Sequence, residues 1–466
     1  MKVDVMAFGI NPADILYQRK VLVVGFGRQG QALARWLPSV GARVTVTDAR
    51  PPAMLGVELT DFPQVRFVLG DHPLSLLDDA EMICVSGGVP LEMPLLQMAI
   101  HRGIPITNDA QLFVSRSPAP VTGITGSAGK TTTTTLVGEM SKTAGFTTWV
   151  GGNIGNVLLD VMMGIQPRHQ VIMELSSFQL ELMISSPTVS AILNVTPNHL
   201  DRHGTMENYI FAKSNILTHQ TADDIAVLNY DDITTRALAD NVSGYRVWFS
   251  MNEIMLHGSF LLGEQLVIVG LATQDDKPHV LCNVSDIRLR GRHNIANVLA
   301  ACAIAGTIGV PPEAMVEVIR TFGGVPHRQE VVRVVNDVTY VNDSIATAPE
   351  RVLAALHSYH EPLVLLLGGA DKKLTWGPML EVALKKCRHI IAFGRDGDIV
   401  LNTASQLGHD NHNITRVETL DQAIEKAIDV AQAGDVVLLS PGGTSYDAYK
   451  DFAERGEHFR RLVSAL

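Results

Sequence analysis

Basic residues are in short supply in this chain, 37 Lys and Arg against 48 Asp and Glu, which leaves a formal net charge of −11. Such a balance provides no electrostatic footprint for nucleic acid or for an anionic membrane surface. Cysteine is scarce too. Cys84, Cys282, Cys302 and Cys387 show no Cys-x-x-Cys spacing, which argues against a structural zinc site and a disulfide framework and favours a reducing compartment. No apolar run approaches the ~20 residues of a membrane span. Met1 to Lys20 lacks the basic-then-apolar order of a signal peptide, so a soluble, cytoplasmic protein without membrane insertion is expected. Internal repeats and low-complexity tracts are missing apart from the threonine run Thr131–Thr135. What remains is a chain of 466 residues, 46% hydrophobic and 18% charged, able to bury large cores in two to four domains. A small-molecule enzyme fits these bounds best.

The most informative segment is Gly126-Ser127-Ala128-Gly129-Lys130-Thr131-Thr132, a Gly-x-x-Gly-Lys-Thr word. The apolar run Pro120–Ile124 precedes it, and Leu136, Val137 and Met140 follow at helical spacing. A strand, a tight turn and a helix N-terminus are therefore predicted. That arrangement brings backbone amides and partial positive charge to a phosphate chain, with Lys130 on the terminal phosphate and the Thr131 hydroxyl on Mg²⁺. The plainer alternative is a glycine-rich turn before an ordinary helix, with Lys130 solvated.

Three α/β regions are predicted. In the first, Val21–Val24, the turn Gly25-Phe26-Gly27-Arg28-Gln29-Gly30, a helix to about Leu37 and the return Val44–Asp48 make a βαβ unit with the Gly-x-Gly-x-x-Gly spacing. Asp48 stands where a ribose-binding acid is expected. The turn suits either a nicotinamide dinucleotide or the pyrophosphate of a nucleotide-sugar. A further strand, Met82–Val85, leads into Ser86-Gly87-Gly88.

The second region starts near Asp109 and holds strands at Val171–Glu174 and Ala191–Val195, the latter running into Thr196-Pro197-Asn198-His199. Ligands of open parallel sheets gather beyond the carboxyl ends of the strands, so Lys130, Glu174 and His199 are expected to converge. A carboxylate after three apolar residues, as at Glu174, points to metal binding, with a structural ion pair as the alternative. His199 also has a bland reading, capping a helix or pairing with Asp201. The third region follows Phe322-Gly323-Gly324, with strands at Val338–Val341, Leu363–Leu367, Ile390–Phe393 and Val436–Leu439 and a helical pattern from Asp421 to Ala433.

Taken together these words resemble the Mur ligases, ATP-dependent amide-forming enzymes of peptidoglycan precursor synthesis, over nearly the whole chain. Besides Gly126–Thr132, the resemblance rests on Gly151–Gly155, Glu174–Glu181 (Glu-Leu-Ser-Ser-Phe-Gln-Leu-Glu), Asn198–His203, Tyr209–Lys213, His293–Asn297, Pro326–Arg328 and Asn342–Ser344. It implies three domains: a Rossmann-like UDP-binding domain at 1–108, a P-loop ATPase-like domain for ATP and Mg²⁺ at 109–324, and a Rossmann-like amino-acid-binding domain at 325–466. The implied reaction joins UDP-N-acetylmuramoyl-L-alanine to glutamate. ATP converts the carboxylate to an acyl phosphate, the amine attacks, and phosphate leaves, work for Lys130 and two Mg²⁺ ions rather than for a covalent nucleophile.

By the same resemblance Thr131 and Glu174 hold one Mg²⁺, while His199 and a carbamylated Lys213 hold the other. Asn153 lies near the phosphates, and Asn294, Asn297, Arg328 and Asp343 line the nucleotide. Spacing alone makes Lys213 a surface residue, and Arg328 and Asp343 surface or ion-pair residues. Gly27, Arg28, Gln29, Asp48, Arg50, Ser86 and Gly88 match UDP-binding loops, with Arg50 on uracil or phosphate. Thr347, Lys372, Ser445 and Phe452 match positions that hold the glutamate. Two residues depart from the family pattern. Ala128 replaces a common asparagine, and Ile345 replaces a common lysine, which leaves L-glutamate as the alternative to D-glutamate. A folylpolyglutamate synthase does not put a Gly-x-Gly-x-x-Gly unit before its P-loop, and a nicotinamide oxidoreductase leaves Lys130, Glu174 and His199 without a role. A reactive acyl phosphate must be kept from water, so closure about a hinge near Gly323-Gly324 is expected.

Overall fold

A computed structural model describes residue 11 and residues 13–466 apart from 274–276, 290, 372–373 and 410–412; of Asp201 it describes the backbone alone. The chain divides into two compact units between Thr321 and Phe322. The first unit carries two sheets and the second carries one.

The opening sheet comprises β1 (Lys20–Val24), β2 (Arg43–Asp48), β3 (Val65–Leu69), β4 (Met82–Val85) and β5 (Ile106–Thr107). All pair in parallel in the order β3-β2-β1-β4-β5. The apolar run of β1 is buried from Val21 to Val24 because helices cover both faces. The order reverses between β1 and β4, which opens a crevice beside the Gly25–Gly30 turn.

The second sheet holds β6 (Val121–Thr125), β7 (Thr148–Gly152), β8 (Gln170–Glu174), β9 (Val189–Ile192), β10 (Ile225–Asn229), β11 (Tyr245–Ser250), β12 (Gly258–Leu262), β13 (Gln265–Val269) and β14 (His279–Asn283). Its order is β14-β13-β12-β11-β10-β9-β6-β8-β7. Pairing is parallel from β7 to β12, and β13 and β14 add on antiparallel. β6 therefore lies between β8 and β9, and the segments leaving all three emerge on one side. The strand expected over Ala191–Val195 starts and stops earlier. Leu193 makes the last ladder bond, to the Thr125 carbonyl, after which Asn194 turns toward the phosphate loop.

The second unit is a sheet of β15 (Glu330–Val335), β16 (Val338–Asn342), β17 (Leu363–Gly368), β18 (Cys387–Phe393), β19 (Ile414–Arg416) and β20 (Val436–Gly442), ordered β15-β16-β20-β17-β18-β19. Only β15 runs antiparallel. Leu363, Leu365 and Leu367 face one core while Val364 and Leu366 face another, so the unbroken apolar run of β17 is what a strand covered on both faces requires. The helix read from Asp421 to Ala433 spans Leu420–Val430, capped by Thr419 and ended by the extended Ala431.

All four cysteines are buried and unpaired, and burial pushes the Cys387 thiol up to about 12. Among the described residues no helix is long and apolar enough to cross a membrane.

Candidate active site

β6 ends at Thr125, the chain turns through Gly126–Gly129, and the Lys130–Thr143 helix begins at once. Gly129 occupies the helix N-cap with φ 83°, a left-handed conformation. A Cβ there would stand 2.2 Å from Asn297 Oδ1. Gly129→Ala is therefore expected to cost about 1–3 kcal/mol and to weaken Mg·ATP binding. Thermal melting and titration with a fluorescent ATP analogue check both, and unaltered binding would refute the expectation.

Residues from neighbouring segments hold the loop in place. The Asn194 carbonyl accepts from Ser127 N–H at 3.0 Å. Its side chain accepts from Ala128 N–H at 2.9 Å and donates to the Ala128 carbonyl at 3.1 Å. Ser127 Oγ donates to the Thr196 carbonyl at 2.8 Å and lies 3.0 Å from the Tyr209 hydroxyl. An asparagine side chain thus clasps the backbone of Ala128, where the family pattern commonly has an asparagine of its own. Sequence reasoning gave no role to Asn194, or to Tyr209 within its Tyr209–Lys213 word. Asn194, a polar residue just past an apolar strand, carried the same signal as Glu174.

Glu174 closes β8 at 1% exposure. One carboxylate oxygen accepts from Asn153 Nδ2 at 2.7 Å and the other from Thr131 Oγ1 at 2.8 Å. Lys130 Nζ donates to the Gly126 carbonyl at 2.8 Å and to that of Ser127 at 3.3 Å. Lys213, on the Met206–Thr218 helix, is also 1% exposed, contrary to the surface reading from spacing. Its amine donates to the Gly126 carbonyl at 2.9 Å and to Thr125 Oγ1 at 3.3 Å, and sits 4.8 Å from the centre of the Tyr209 ring. Burial, helped by the neighbouring Lys130 and opposed by Glu174, lowers its pKa to about 6.

His199 is exposed, with φ 53°, at the N-cap of the Leu200–His203 turn, where its side chain makes no cap bond. Its ring lies 5.1 Å from that of Phe178. Phe178 also stacks on His203 at 5.4 Å, and the Arg202 guanidinium lies 5.0 Å from its ring centre. The Glu174–Glu181 and Asn198–His203 words are therefore packed together. Among the described residues no group of three or more His, Cys, Asp and Glu could hold a metal ion. The donor chemistry does fit Mg²⁺: a buried carboxylate hydrogen-bonded to the Thr131 hydroxyl, beside a glycine-lined turn and a lysine.

Three family models match the chain: "Mur ligase MurD-like, N-terminal domain" over residues 19–108, "Mur ligase middle domain" over 124–305 and "Mur ligase, glutamate ligase domain" over 327–443. The UDP-N-acetylmuramoylalanine–D-glutamate ligase of Clostridium botulinum (strain Loch Maree / Type A3) is 38% identical over 460 residues, covering 97% of this chain and 98% of that one. The chain belongs to the Mur ligase family. The enzyme of the same name from Desulfitobacterium hafniense (strain DSM 10664 / DCB-2) is 38% identical over 450 residues, covering 96% of this chain and 98% of that one. Among solved structures, UDP-N-acetylmuramate-alanine ligase from Thermotoga maritima shares the fold with TM-score 0.55 at 20% identity, over 96% of this chain and 100% of that one.

The remaining predicted positions of this Mur ligase divide by unit. In the first unit, Asn297 is brought against Gly129 and donates to Asn294 Oδ1 at 3.0 Å. Thr132 is half-buried in the first turn of the P-loop helix. Asp48 accepts from Phe26 N–H at 2.6 Å and from the Arg50 guanidinium at 2.8 Å through each oxygen. The Arg50 guanidinium, with the N–H groups of Arg50 (2.9 Å) and Phe26, holds the Asp48 carboxyl well below the usual range. Gln29 lies against Gly87, Ser86 is buried beside Gly25 and Gly27, and Gly88 is exposed. Arg28 points to the central sheet, donating to the carbonyls of Asn153 and Gly155.

In the second unit Asp343 is 4% exposed, which corrects its surface reading. It accepts from Ser440 Oγ at 2.8 Å and Gln329 N–H at 3.2 Å, and burial raises its pKa to about 7. Arg328 is exposed, between His327 and Gln329, which have φ of 63° and 44°. Thr347 is half-buried; Ser445 is buried; Phe452 is half-buried and its carbonyl accepts from Ser344 Oγ at 2.8 Å. Ile345 offers its backbone, its carbonyl accepting from Arg351 at 3.1 Å. Lys372 lies outside the described residues. Arg455 escaped sequence reasoning although it falls on the apolar stripe of Phe452, Phe459 and Val463, where a cation is out of place.

Proposed function

We propose that this Mur ligase joins the carboxylate of UDP-N-acetylmuramoyl-L-alanine to the amine of D-glutamate, with ATP converted to ADP and phosphate. The observation that carries the reading is the buried Glu174 carboxylate, held by Thr131 and Asn153 beside Lys130 and Lys213. Full-length relatives at 38% identity are named as D-glutamate ligases. Residues 1–108 take the UDP moiety, 109–324 the ATP and 325–466 the amino acid.

In this mechanism the loop amides of Gly126–Thr132 and the Lys130 ammonium bind and orient the triphosphate. Thr131 and Glu174 would hold one Mg²⁺, and His199 and Lys213 a second. When bound, the metal neutralises charge on the transferring phosphoryl group. Lys213 takes part as its carbamate. A depressed pKa leaves much of the amine neutral near pH 7, the form that adds CO₂, and the product is an anion where an ammonium would repel a divalent cation. Asn153 places its amide near the reacting carboxylate, Asn294, Asn297, Arg328 and Asp343 line the nucleotide, and Gly27, Arg28, Gln29, Asp48, Arg50, Ser86 and Gly88 receive the UDP. Thr347, Lys372, Ser445 and Phe452 receive the glutamate.

The test is phosphate release with ATP, Mg²⁺ and UDP-N-acetylmuramoyl-L-alanine, with D-glutamate, L-glutamate or no amino acid, and product mass as confirmation. Release and a new amide with D-glutamate alone are expected. Preference for L-glutamate would transfer the mechanism to the other acceptor and make Ile345 the residue to examine. No amide with either would overturn the reading.

A further inference from the structure

Arg28 lies in the glycine-rich turn of the first sheet, yet its guanidinium faces the second. One terminal nitrogen donates to the Asn153 carbonyl at 2.8 Å and the other to the Gly155 carbonyl at 3.0 Å. Both carbonyls belong to the tight loop that leaves β7. Gly152 N–H donates to the Asn156 carbonyl at 3.2 Å, closing the loop on itself. Gly152 has φ 101°, and a Cβ on it would lie 2.4 Å from the Glu174 carbonyl, so the loop is pressed against the end of β8. Asn153 bonds Glu174 twice, its N–H to the Glu174 carbonyl at 2.9 Å and its side-chain amide to the carboxylate at 2.7 Å. The other carboxylate oxygen takes the Thr131 hydroxyl. A continuous chain therefore runs from Arg28 through Asn153 and Glu174 to the first turn of the P-loop helix.

A second arginine reinforces this contact from the same helix face. Arg35, two turns further along the Arg28–Ser39 helix, pairs with both oxygens of Asp160 at 2.9 and 2.8 Å. The planar fork of Arg28 matches two carbonyls that a lysine could reach only one at a time.

We infer that Arg28 is a positioning residue for the Mg·nucleotide site: it fixes the Gly152–Asn156 loop and, through Asn153, the orientation of the Glu174 carboxylate toward Thr131. This rests on the reading of Thr131 and Glu174 as metal-binding and deepens it. Residue 28 then sets nucleotide affinity even with the nucleotide-sugar absent, although its sequence position marks it as a contact to that substrate. It also makes the two sites interdependent, because any ligand that draws the guanidinium off the carbonyls loosens Asn153.

The test uses Arg28→Met, which keeps the aliphatic stem and removes the donors, and Arg28→Lys. Mg·ADP binding is measured by calorimetry without UDP-substrate, and amide hydrogen exchange is followed across residues 151–156. Arg28→Met is expected to weaken Mg·ADP about tenfold, in line with two lost charge-assisted hydrogen bonds. Faster exchange at 151–156 should accompany it, with Arg28→Lys in between. Unchanged Mg·ADP affinity, with only the KM for the UDP-substrate raised, would overturn the inference and leave Arg28 a plain substrate contact. Weaker binding without faster exchange in the loop would overturn it as well. Arg28 is exposed, so both variants should fold, and a melting curve verifies this. Since binding is read without sugar or amino acid, failure of the D-glutamate reaction would not be confused with failure here.

Discussion

Lys213→Met is expected to lower amide formation by roughly 10³-fold or more while leaving the protein at least as stable as the parent. The two effects have one origin. The amine is buried at 1% exposure, and its polar contacts are a carbonyl and a hydroxyl. Methionine has nearly the same length, packs on the Tyr209 ring, and removes a group whose protonated form is disfavoured in that setting. The pH dependence has a definite sign. The native pKa of about 6 lies below the ordinary value of 10.5, so between these limits the unfolded chain holds a proton that the native chain lacks. The penalty is full below pH 6, on the order of a few kcal/mol, and is relieved as pH rises toward 10.5. Denaturant unfolding in CO₂-depleted buffer should show Lys213→Met more stable than the parent at pH 6, by a margin that shrinks at pH 9. Wild-type activity should fall in that buffer and return with bicarbonate. A Lys213→Met protein that still forms the amide would rule out an anion at this position, and one that is less stable at pH 6 would rule out the burial argument.

The second large effect is structural. Arg455→Met is expected to destabilise the second unit by about 3–5 kcal/mol. Arg455 is 0% exposed and donates to Ser344 Oγ at 3.0 Å and to the carbonyls of Ser344, Thr444 and Gly443 at 3.0, 3.1 and 3.2 Å. Burial lowers its pKa to about 10, so it stays charged at neutral pH. Methionine would fill much of the volume but strip the Ser344 and Gly443 carbonyls of their arginine donor, while the Thr444 carbonyl keeps the Ala370 N–H at 2.9 Å, and unsatisfied buried acceptors are what make such a change expensive. The same bonds join the Ser344 loop to the Gly443–Ser445 loop, so a raised KM for glutamate should accompany the loss. Arg455→Lys keeps the charge without the fork and should recover only part of the stability. Urea unfolding followed by a probe in the second unit measures this; a loss under about 1 kcal/mol would show that the loops find other donors.

Much of the site was legible because its signals are local. The Gly126–Thr132 turn, the carboxylate ending an apolar strand at Glu174 and the βαβ unit opening at Val21 are read from neighbours in sequence, and each element stands where the pattern puts it. Asp343, read as a surface residue, is buried because β16 lies inside its sheet and Ser440 reaches it from β20. Lys213 followed the same course, since nothing in Tyr-x-x-Ala-Lys shows that the helix packs its lysine under the P-loop. The Asp48–Arg50 pair illustrates a further limit. Two residues apart, each read as a ligand contact, they are bonded to one another here, and spacing cannot tell a partner from a ligand.

The sequence by itself determined the fold class, the family and the strand–turn–helix around Gly126–Gly129, since strand, turn and helix patterns with short motifs reflect chemistry between residues close along the chain. Only the tertiary structure decided which donor meets which acceptor across distances of 20 to more than 100 residues. Asn153 with Glu174, Arg28 with Asn153 and Arg455 with Ser344 are such pairs, separated by 21, 125 and 111 positions. Their physical cause is the requirement that polar groups removed from water find partners, and the order of the strands, not the order of the residues, determines which partners lie within reach.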